Sequence, residues 1–159
     1  MTNHLRARSA VPHILAILAL AAVLAACQSI PAVASIVPAA GPLVTITTRG
    51  GECPEGACKS ETSVERDGRL HMTKPEIAAL GTIPAAPLSA LDAAIRATDF
   101  TDIRARPFTG ECPVNFDGQE AIYEFATPSG VERLESCQTE LDPDHPLFKA
   151  LTMAMQAAR

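Results

Sequence analysis

The most constraining feature of the sequence is an apolar segment near its start that ends in small residues and a cysteine. Arg6 and Arg8 precede the segment, and no acidic residue lies among the first 26 residues. The stretch from Val11 to Val23 is almost wholly apolar and is too short to remain as a transmembrane helix. Leu24-Ala25-Ala26-Cys27 follows it directly. A basic start, an apolar stretch and small residues predict an export signal, residues 1–26, that is removed.

The four residues Leu24-Ala25-Ala26-Cys27 resemble the lipobox of bacterial lipoprotein precursors. The resemblance implies that Cys27 is lipidated with a diacylglyceryl group, that cleavage follows Ala26, and that the new amino terminus receives an acyl chain such as palmitate. Several chains, at about 0.8 kcal/mol per buried CH₂, hold a protein stably on a membrane. Gln28, rather than Asp, follows the cysteine, which by resemblance to lipoprotein sorting favours the outer membrane, facing the periplasm.

Two alternatives to this interpretation remain open. One is an ordinary cleaved signal peptide with Cys27 as a free or paired thiol, and the other is a permanent membrane-spanning helix. Residues 27–42 are rich in Ala and Pro and predict a tether between the lipid and the domain. Within this segment, Ile36 and Val37 have a second interpretation as a first edge strand.

Composition limits the partners of the predicted domain, residues 43–159. Cleavage after residue 26 of the 159 leaves 133 residues, enough for one modest core. Two of the 13 basic residues lie in the signal, so 11 basic and 18 acidic residues remain, a net charge of −7. This sign argues against nucleic acid as a partner. The expected contacts are the membrane, through the lipid, and another envelope protein.

The other four cysteines are even in number, which in an exported chain is typical of disulfide bonds with three possible connectivities. We favour Cys53–Cys58 and Cys112–Cys137. The first pair flanks a short stretch whose Pro and Gly suit a tight turn. The second would fasten the loop that carries Cys112 to a hairpin ending at Cys137, a closure worth about 3 kcal/mol in the chain-entropy model.

The hydrophobic pattern of residues 43–159 predicts an α+β domain. It has an antiparallel sheet of about five strands built from hairpins, with two helices packed on one face. Residues 44–49 alternate and are β-branched, which favours a strand. A hairpin around Asp67-Gly68 needs a three-residue loop to pair Val64 with Leu70, Thr62 with Met72 and Glu65 with Arg69. This register keeps one face apolar and leaves His71 on the exposed face.

The second hairpin joins residues 120–126 to residues 131–137 through Thr127-Pro128-Ser129-Gly130. Its register sets Glu124 opposite Arg133 on one face and Tyr123 opposite Leu134 on the other, and it places Cys137 near Glu120.

Two amphipathic stretches predict the helices. Ser89 to Asp92 resembles a capping box, preceded by Leu88 as a staple and followed by a stripe of Leu91, Ala94, Ile95 and Thr98. Asp144-His145-Pro146 starts the last helix with Pro in its first turn. Residues 74–87 and 101–118 are predicted as connections.

Catalytic chemistry has few candidate residues, so we predict no enzyme, no catalytic residue, no metal and no cofactor. The mature chain keeps only His71 and His145, and it contains no nucleophile elbow, P-loop or His-Glu-x-x-His motif. Asp142 and Asp144 beside His145 suit helix capping better than cation binding. The methionines Met72, Met153 and Met155 suit core packing better than copper.

The Cys53–Cys58 pair has a second interpretation as a redox centre. Oxidoreductases use Cys-x-x-Cys at a helix start, whereas this longer spacing joins two strands and favours a structural bridge. Zinc is the other alternative for the four cysteines, but neither pair has ribbon-like spacing, and an oxidising compartment favours bridges.

Two further resemblances concern the domain. Gly50-Gly51-x-Cys53-Pro54-x-Gly56-x-Cys58 is similar to the start of uncharacterised bacterial lipoprotein domains. More loosely, the order of elements over residues 43–155, with a helix ending in Asp99-Phe100, resembles emfourin-type inhibitors of metalloproteases, which lack these cysteines and this anchor. The leading hypothesis is therefore a lipid-anchored, non-catalytic protein-binding module. The alternatives are an inhibitor of an envelope protease that uses the Cys53–Cys58 loop, and a thiol-disulfide enzyme that uses the same cysteine pair.

Overall fold

The computed structural model describes residues 41–52 and 58–159. The chain divides into two units, Met1–Val37 and Pro38–Arg159, and all the described residues belong to the second. The predicted signal, the predicted lipidation site Cys27, the alternative edge strand at Ile36 and Val37, and Cys53 lie outside the described residues. Within those ranges, no helix has the length and apolar character needed to cross a membrane.

Six antiparallel strands form one sheet in the order β4-β3-β2-β1-β5-β6. The α+β class and the construction from hairpins are confirmed, with one strand more than the five predicted. The strands are β1 (Val44–Gly50), β2 (Lys59–Val64), β3 (Arg69–Lys74), β4 (Ala78–Thr82), β5 (Gln119–Thr127) and β6 (Gly130–Glu135), and the helices are α1 (Ala85–Ala97), α2 (Phe100–Arg104), the 3₁₀ helix Pro113–Phe116 and α3 (Pro146–Gln156).

The first hairpin has the predicted register. Val64 pairs with Leu70 and Thr62 with Met72. Glu65 N donates to Arg69 O at 2.8 Å, which closes the three-residue loop. Gly68 in this loop has φ +89°, a left-handed conformation that favours glycine.

The second hairpin is also confirmed. Ala126 pairs with Val131, which sets Glu124 opposite Arg133 and Tyr123 opposite Leu134. The two hairpins are joined through β1, which pairs with β2 on one side and with β5 on the other.

The core lies between the helices and one face of the sheet. Val44, Val64 and Phe125 lie opposite one another across three neighbouring strands and are fully buried. The ring of Phe125 lies 5.7 Å from that of Phe100 and 6.3 Å from that of Phe148, centroid to centroid. Each such buried side chain contributes about 1.5–3 kcal/mol relative to an exposed one. Helices α1 and α3 pack against each other over this core.

Helix α1 corrects the predicted capping box. The helix begins at Ala85, with Pro84 as N-cap and no side-chain cap, so Ser89 and Leu88 lie inside it. Pro87 fits the first turn because the first N–H groups of a helix have no intrahelical partner. Leu91 and Ile95 of the predicted stripe are buried, whereas Thr98 is the C-cap that follows the helix.

The two predicted connections contain regular structure. Residues 74–87 include the edge strand β4, and residues 101–118 include most of α2 and the 3₁₀ helix. Helix α3 starts at Pro146 as predicted, and Leu147, Phe148, Leu151 and Ala154 form its buried stripe.

Candidate functional site

The site lies at the end of the sheet where β1 stops and β5 begins. Gly50 pairs with Gln119 there, and the 3₁₀ helix packs against both strands. A Cβ on Gly50, whose φ is +92°, would lie 2.7 Å from Gly118 O and about 3.0 Å from the side chain of Val114. Glycine at position 50 therefore lets the turn at 113–118 approach the strand closely.

A disulfide and two backbone hydrogen bonds fix this turn. Cys112 is bonded to Cys137, as predicted, with their Cα atoms 5.2 Å apart. Asn115 N donates to Cys112 O at 3.0 Å, and Gly118 N donates to Pro113 O at 2.8 Å. The turn is thus joined to the end of the β5–β6 hairpin.

The turn presents two apolar side chains to solvent. Phe116 is 64% exposed and Val114 is 36% exposed. Large exposed apolar groups that sit together on a fixed backbone are typical of binding surfaces, and aromatic anchors are enriched in them. We call Pro113 to Phe116 with these two side chains the apolar turn.

Three carboxylates lie close to the apolar turn, two near it in the chain and one next to Gly51. Glu52, Glu111 and Asp117 are exposed, and none of them forms an ion pair within the described part of the chain. Gly51 lies beside Asp117, because a Cβ on Gly51 would lie 3.6 Å from Asp117 O. The same Cβ would lie 3.6 Å from the sulfur of Cys58, which is disulfide-bonded. The predicted partner of Cys58, Cys53, is not among the described residues.

Beneath the disulfide lies a buried acid. Glu120 is only 2% exposed, and its Oε2 accepts a hydrogen bond from Arg49 Nε at 2.6 Å. Its Oε1 has no hydrogen-bond partner among the described residues. A carboxylate oxygen of Glu120 and the sulfurs of Cys112 and Cys137 lie within 4.8 Å of one another. The predicted proximity of Cys137 to Glu120 is therefore confirmed.

Arg49 connects the buried acid to an ionic network on the face of the sheet opposite the helices. Its side chain is half exposed, and Nη2 lies 3.7 Å from Glu135 Oε2. Arg133 contacts both Glu135 and Glu124 at 2.8 Å, and these two carboxylates raise the pKa of its guanidinium. This face of the sheet and the end where β1 stops together form a polar surface. The apolar turn lies at one corner of that surface.

An apolar cavity of about 340 Å³ lies on the other side of the sheet, between α3 and the strands. Ile46, Tyr123, Phe148 and Leu151 contribute to its walls. Burial raises the pKa of the Tyr123 hydroxyl above its ordinary value of 10.0. The cavity lies against helix α3, whereas the disulfide lies near Glu120 on the opposite face of the sheet.

The histidines singled out in the sequence have structural contacts. His71 lies on the face of the sheet opposite the helices, partly buried, with Nε2 3.6 Å from Glu65 Oε1. His145 is the N-cap of α3, where Nδ1 accepts from Leu147 N at 3.2 Å. The predicted carboxylate cap is wrong, because Asp142 instead accepts from Asp144 N just before the helix.

The three methionines differ in burial. Met155 packs against the core, Met72 is partly buried, and Met153 is mostly exposed. The prediction of core packing is therefore wrong for Met153.

Sequence reasoning missed Arg49 and Phe116. Arg49 ends an alternating strand, but its partner Glu120 is 71 residues away, which no local pattern reveals. Phe116 did carry a signal, since an aromatic residue within the turn sequence Asn115-Phe116-Asp117-Gly118 is unusual for a solvated loop. Comparisons of the chain with protein-family models, with curated proteins and with solved structures give no match.

Proposed function

We propose that this chain is a lipid-anchored protein of the bacterial envelope whose domain, residues 43–159, binds another envelope protein without catalysing a reaction. The apolar turn is the observation that carries the binding proposal. Phe116 is held in solvent on a backbone fixed by the Cys112–Cys137 disulfide and by the close approach to Gly50. A preorganised anchor loses little conformational entropy when it binds, which favours affinity.

Charge indicates the chemistry of the partner surface. Glu52, Glu111 and Asp117 are exposed carboxylates close to the apolar turn. A complementary partner offers an apolar pocket for Phe116 with Lys or Arg at its edge, since opposite potentials speed association and suppress wrong pairings. The proposed lipid at Cys27 would hold the domain where such envelope proteins are concentrated.

Site-specific photo-crosslinking tests the proposal. A photoreactive amino acid at position 116 should give one adduct of defined mass in intact cells, and the adduct should be lost when Cys112 and Cys137 are both replaced by Ala. Position 131 is the matched control, because Val131 is 68% exposed but lies at the tip of the β5–β6 hairpin. The same adducts from both positions, or none from 116, would contradict the proposal.

A second candidate function is inhibition of an envelope protease. The exposure of Phe116 on a turn fixed by a disulfide favours it, because such a side chain can enter a substrate cleft at little cost in conformational entropy. The purified protein should then slow at least one envelope protease, and Phe116→Ala should weaken that inhibition about tenfold or more. Retention of full inhibition by Phe116→Ala would remove the apolar turn from this role.

A further inference from the structure

We propose that Cys112, Cys137 and Glu120 form a three-ligand site for a thiophilic divalent metal ion such as Zn²⁺. The site forms once the Cys112–Cys137 disulfide is reduced. The three side chains offer ligand atoms that lie within 4.8 Å of one another. In a tetrahedral zinc site, the Zn–S and Zn–O distances place ligand atoms about 3.5–3.8 Å apart. Small side-chain rotations reach this spacing after the sulfur–sulfur bond is broken.

The unpartnered oxygen of Glu120 is the second observation that indicates a cation. Glu120 is 98% buried, and Oε1 has no donor among the described residues. A buried acceptor without a partner is destabilising and uncommon in folded proteins. A metal ion between Oε1 and the two sulfurs would satisfy it.

Arg49 is placed as an outer-shell residue of this site. Its Nε holds Oε2 of Glu120 at 2.6 Å, which leaves Oε1 for the metal. Ligating carboxylates are commonly oriented by such a hydrogen bond. The charges also balance, because Zn²⁺ and the Arg49 cation together offset two thiolates and one carboxylate.

The disulfide and the metal exclude each other, since a cysteine sulfur binds zinc as a thiolate and not as part of a disulfide. A dithiol reductant supplies two electrons and two protons to Cys112–Cys137, giving two thiols and its own disulfide. Zn²⁺ then replaces the two thiol protons, which are released to solvent. Cys112 and Cys137 are only partly buried, so a fourth position remains open to water or to a ligand from another protein.

The test uses the full chain with Cys27→Ala, Cys53→Ser and Cys58→Ser, purified in detergent, so that one cysteine pair remains. After reduction by a phosphine without oxygen, titration with Co²⁺ should give one equivalent of binding with thiolate-to-cobalt charge-transfer absorption, and Zn²⁺ should abolish that absorption. The oxidised sample of the same variant should show none.

Glu120→Gln should weaken Co²⁺ binding at least about tenfold, because even outer-shell changes cost 10–100-fold. Glu124→Gln is the matched control, since Glu124 is a carboxylate on the same face whose ion pair is with Arg133 and not with Arg49, and it should leave the affinity unchanged. No charge-transfer absorption from the reduced protein, or equal affinity in Glu120→Gln and Glu124→Gln, would overturn the proposal. If Glu120→Gln does not fold, X-ray absorption of the zinc-loaded parent decides: two sulfur and at least one oxygen neighbours support the site, and any other sulfur count overturns it.

Discussion

At the residue scale, the pair of Arg49 and Glu120 shows how one charge can be buried at moderate cost. Removing a carboxylate from water is unfavourable by several kcal/mol, and a close cation offsets part of this. Arg49 keeps half of its side chain in solvent while Nε reaches the buried Oε2 of Glu120. The exposed half retains its hydration, so the penalty falls mainly on Glu120.

We expect Arg49→Met to lower the free energy of unfolding by about 2 kcal/mol, because it leaves Glu120 buried without its cation. Arg133→Met is the matched control on the same face, where the exposed pairs of Arg133 with Glu124 and Glu135 contribute about 0–1 kcal/mol. Chemical denaturation at neutral pH measures both losses. Equal losses would show that the burial of Glu120 does not matter.

Tyr123 allows a direct measurement of burial by titration. It is the only tyrosine, and the chain has no tryptophan, so phenolate absorbance reports this one group. Burial raises its pKa, and the midpoint in the folded protein should therefore lie above 10.0. The same titration in denaturant should return the ordinary value. A folded midpoint at or below the denatured one would contradict the burial of the hydroxyl.

The sign of the linked stability follows from this shift. Because the pKa of Tyr123 is higher in the folded state, the protonated form is favoured there. The contribution is fully present below pH 10 and is lost as the pH rises through the folded pKa. The alkaline limb of the stability curve should accordingly be shallower in Tyr123→Phe, which has no group to ionise.

At the scale of elements, the first hairpin depends on one glycine. A Cβ on Gly68 would lie 2.7 Å from Ile83 O, and its φ of +89° is itself unfavourable for other residues. We expect Gly68→Ala to destabilise the protein by about 2 kcal/mol or more. Gly130→Ala is the control, since Gly130 also has positive φ but has nothing within 4 Å of the added carbon. Chemical denaturation measures both variants. An equal loss of unfolding free energy in Gly130→Ala would show that the close approach of Gly68 to Ile83 O is not the cause.

The hairpins were predictable because their information is local. Asp67-Gly68 fixed the loop, and alternation then determined the facing pairs, as the register of Val64 with Leu70 shows. The second register followed in the same way from the pairing of Glu124 with Arg133.

The elements that were missed have weak local signals. Strand β4 consists of Ala, Leu, Gly and Thr, and it carries a bulge where Ala79 and Gly81 pair with neighbouring residues of β3. Its place in the sheet comes from pairing with β3, not from β propensity. Helix α1 was placed too late because Pro84 and Pro87 suggested a loop, although both fit a helix start.

The candidate site was predictable only in part. The Cys112–Cys137 disulfide followed from the hairpin and from an even cysteine count. The neighbourhood of Glu120 followed from the same register. Its pairing with Arg49 did not, because the contact of β1 with β5 joins distant parts of the chain. Nor did the sequence show that the turn holding Phe116 would be fastened to Gly50.

At the scale of the whole molecule, the sheet has two unlike faces. One face packs under α1 and α3, while the other carries the network of Arg49, Arg133 and their carboxylates. The apolar turn lies at the end of the sheet where β1 stops and β5 begins. The proposed partner would therefore contact a corner of the sheet and leave the core undisturbed.

The proposed anchor is tested on the whole chain. Cys27→Ser should prevent lipidation and shift the protein from the membrane fraction to the soluble fraction of the envelope, because the acyl chains supply the membrane affinity. Cell fractionation with mass spectrometry of the amino terminus measures both effects. Cys58→Ser is the control and should leave the anchor in place. Membrane retention of the Cys27→Ser protein, or an unmodified terminus in the parent, would refute lipid anchoring.

The central position of β1 has a mechanical consequence. Leu43 N donates to Val64 O on one side at 2.8 Å, and Leu43 O accepts from Ala126 N on the other at 3.0 Å. Tension applied through residue 41 would load the ladders to β2 and β5 together, in shear, instead of peeling an edge strand bond by bond. A force on the amino-terminal side of the domain would therefore act on a central strand of the sheet. Rupture there requires many backbone hydrogen bonds to break at once.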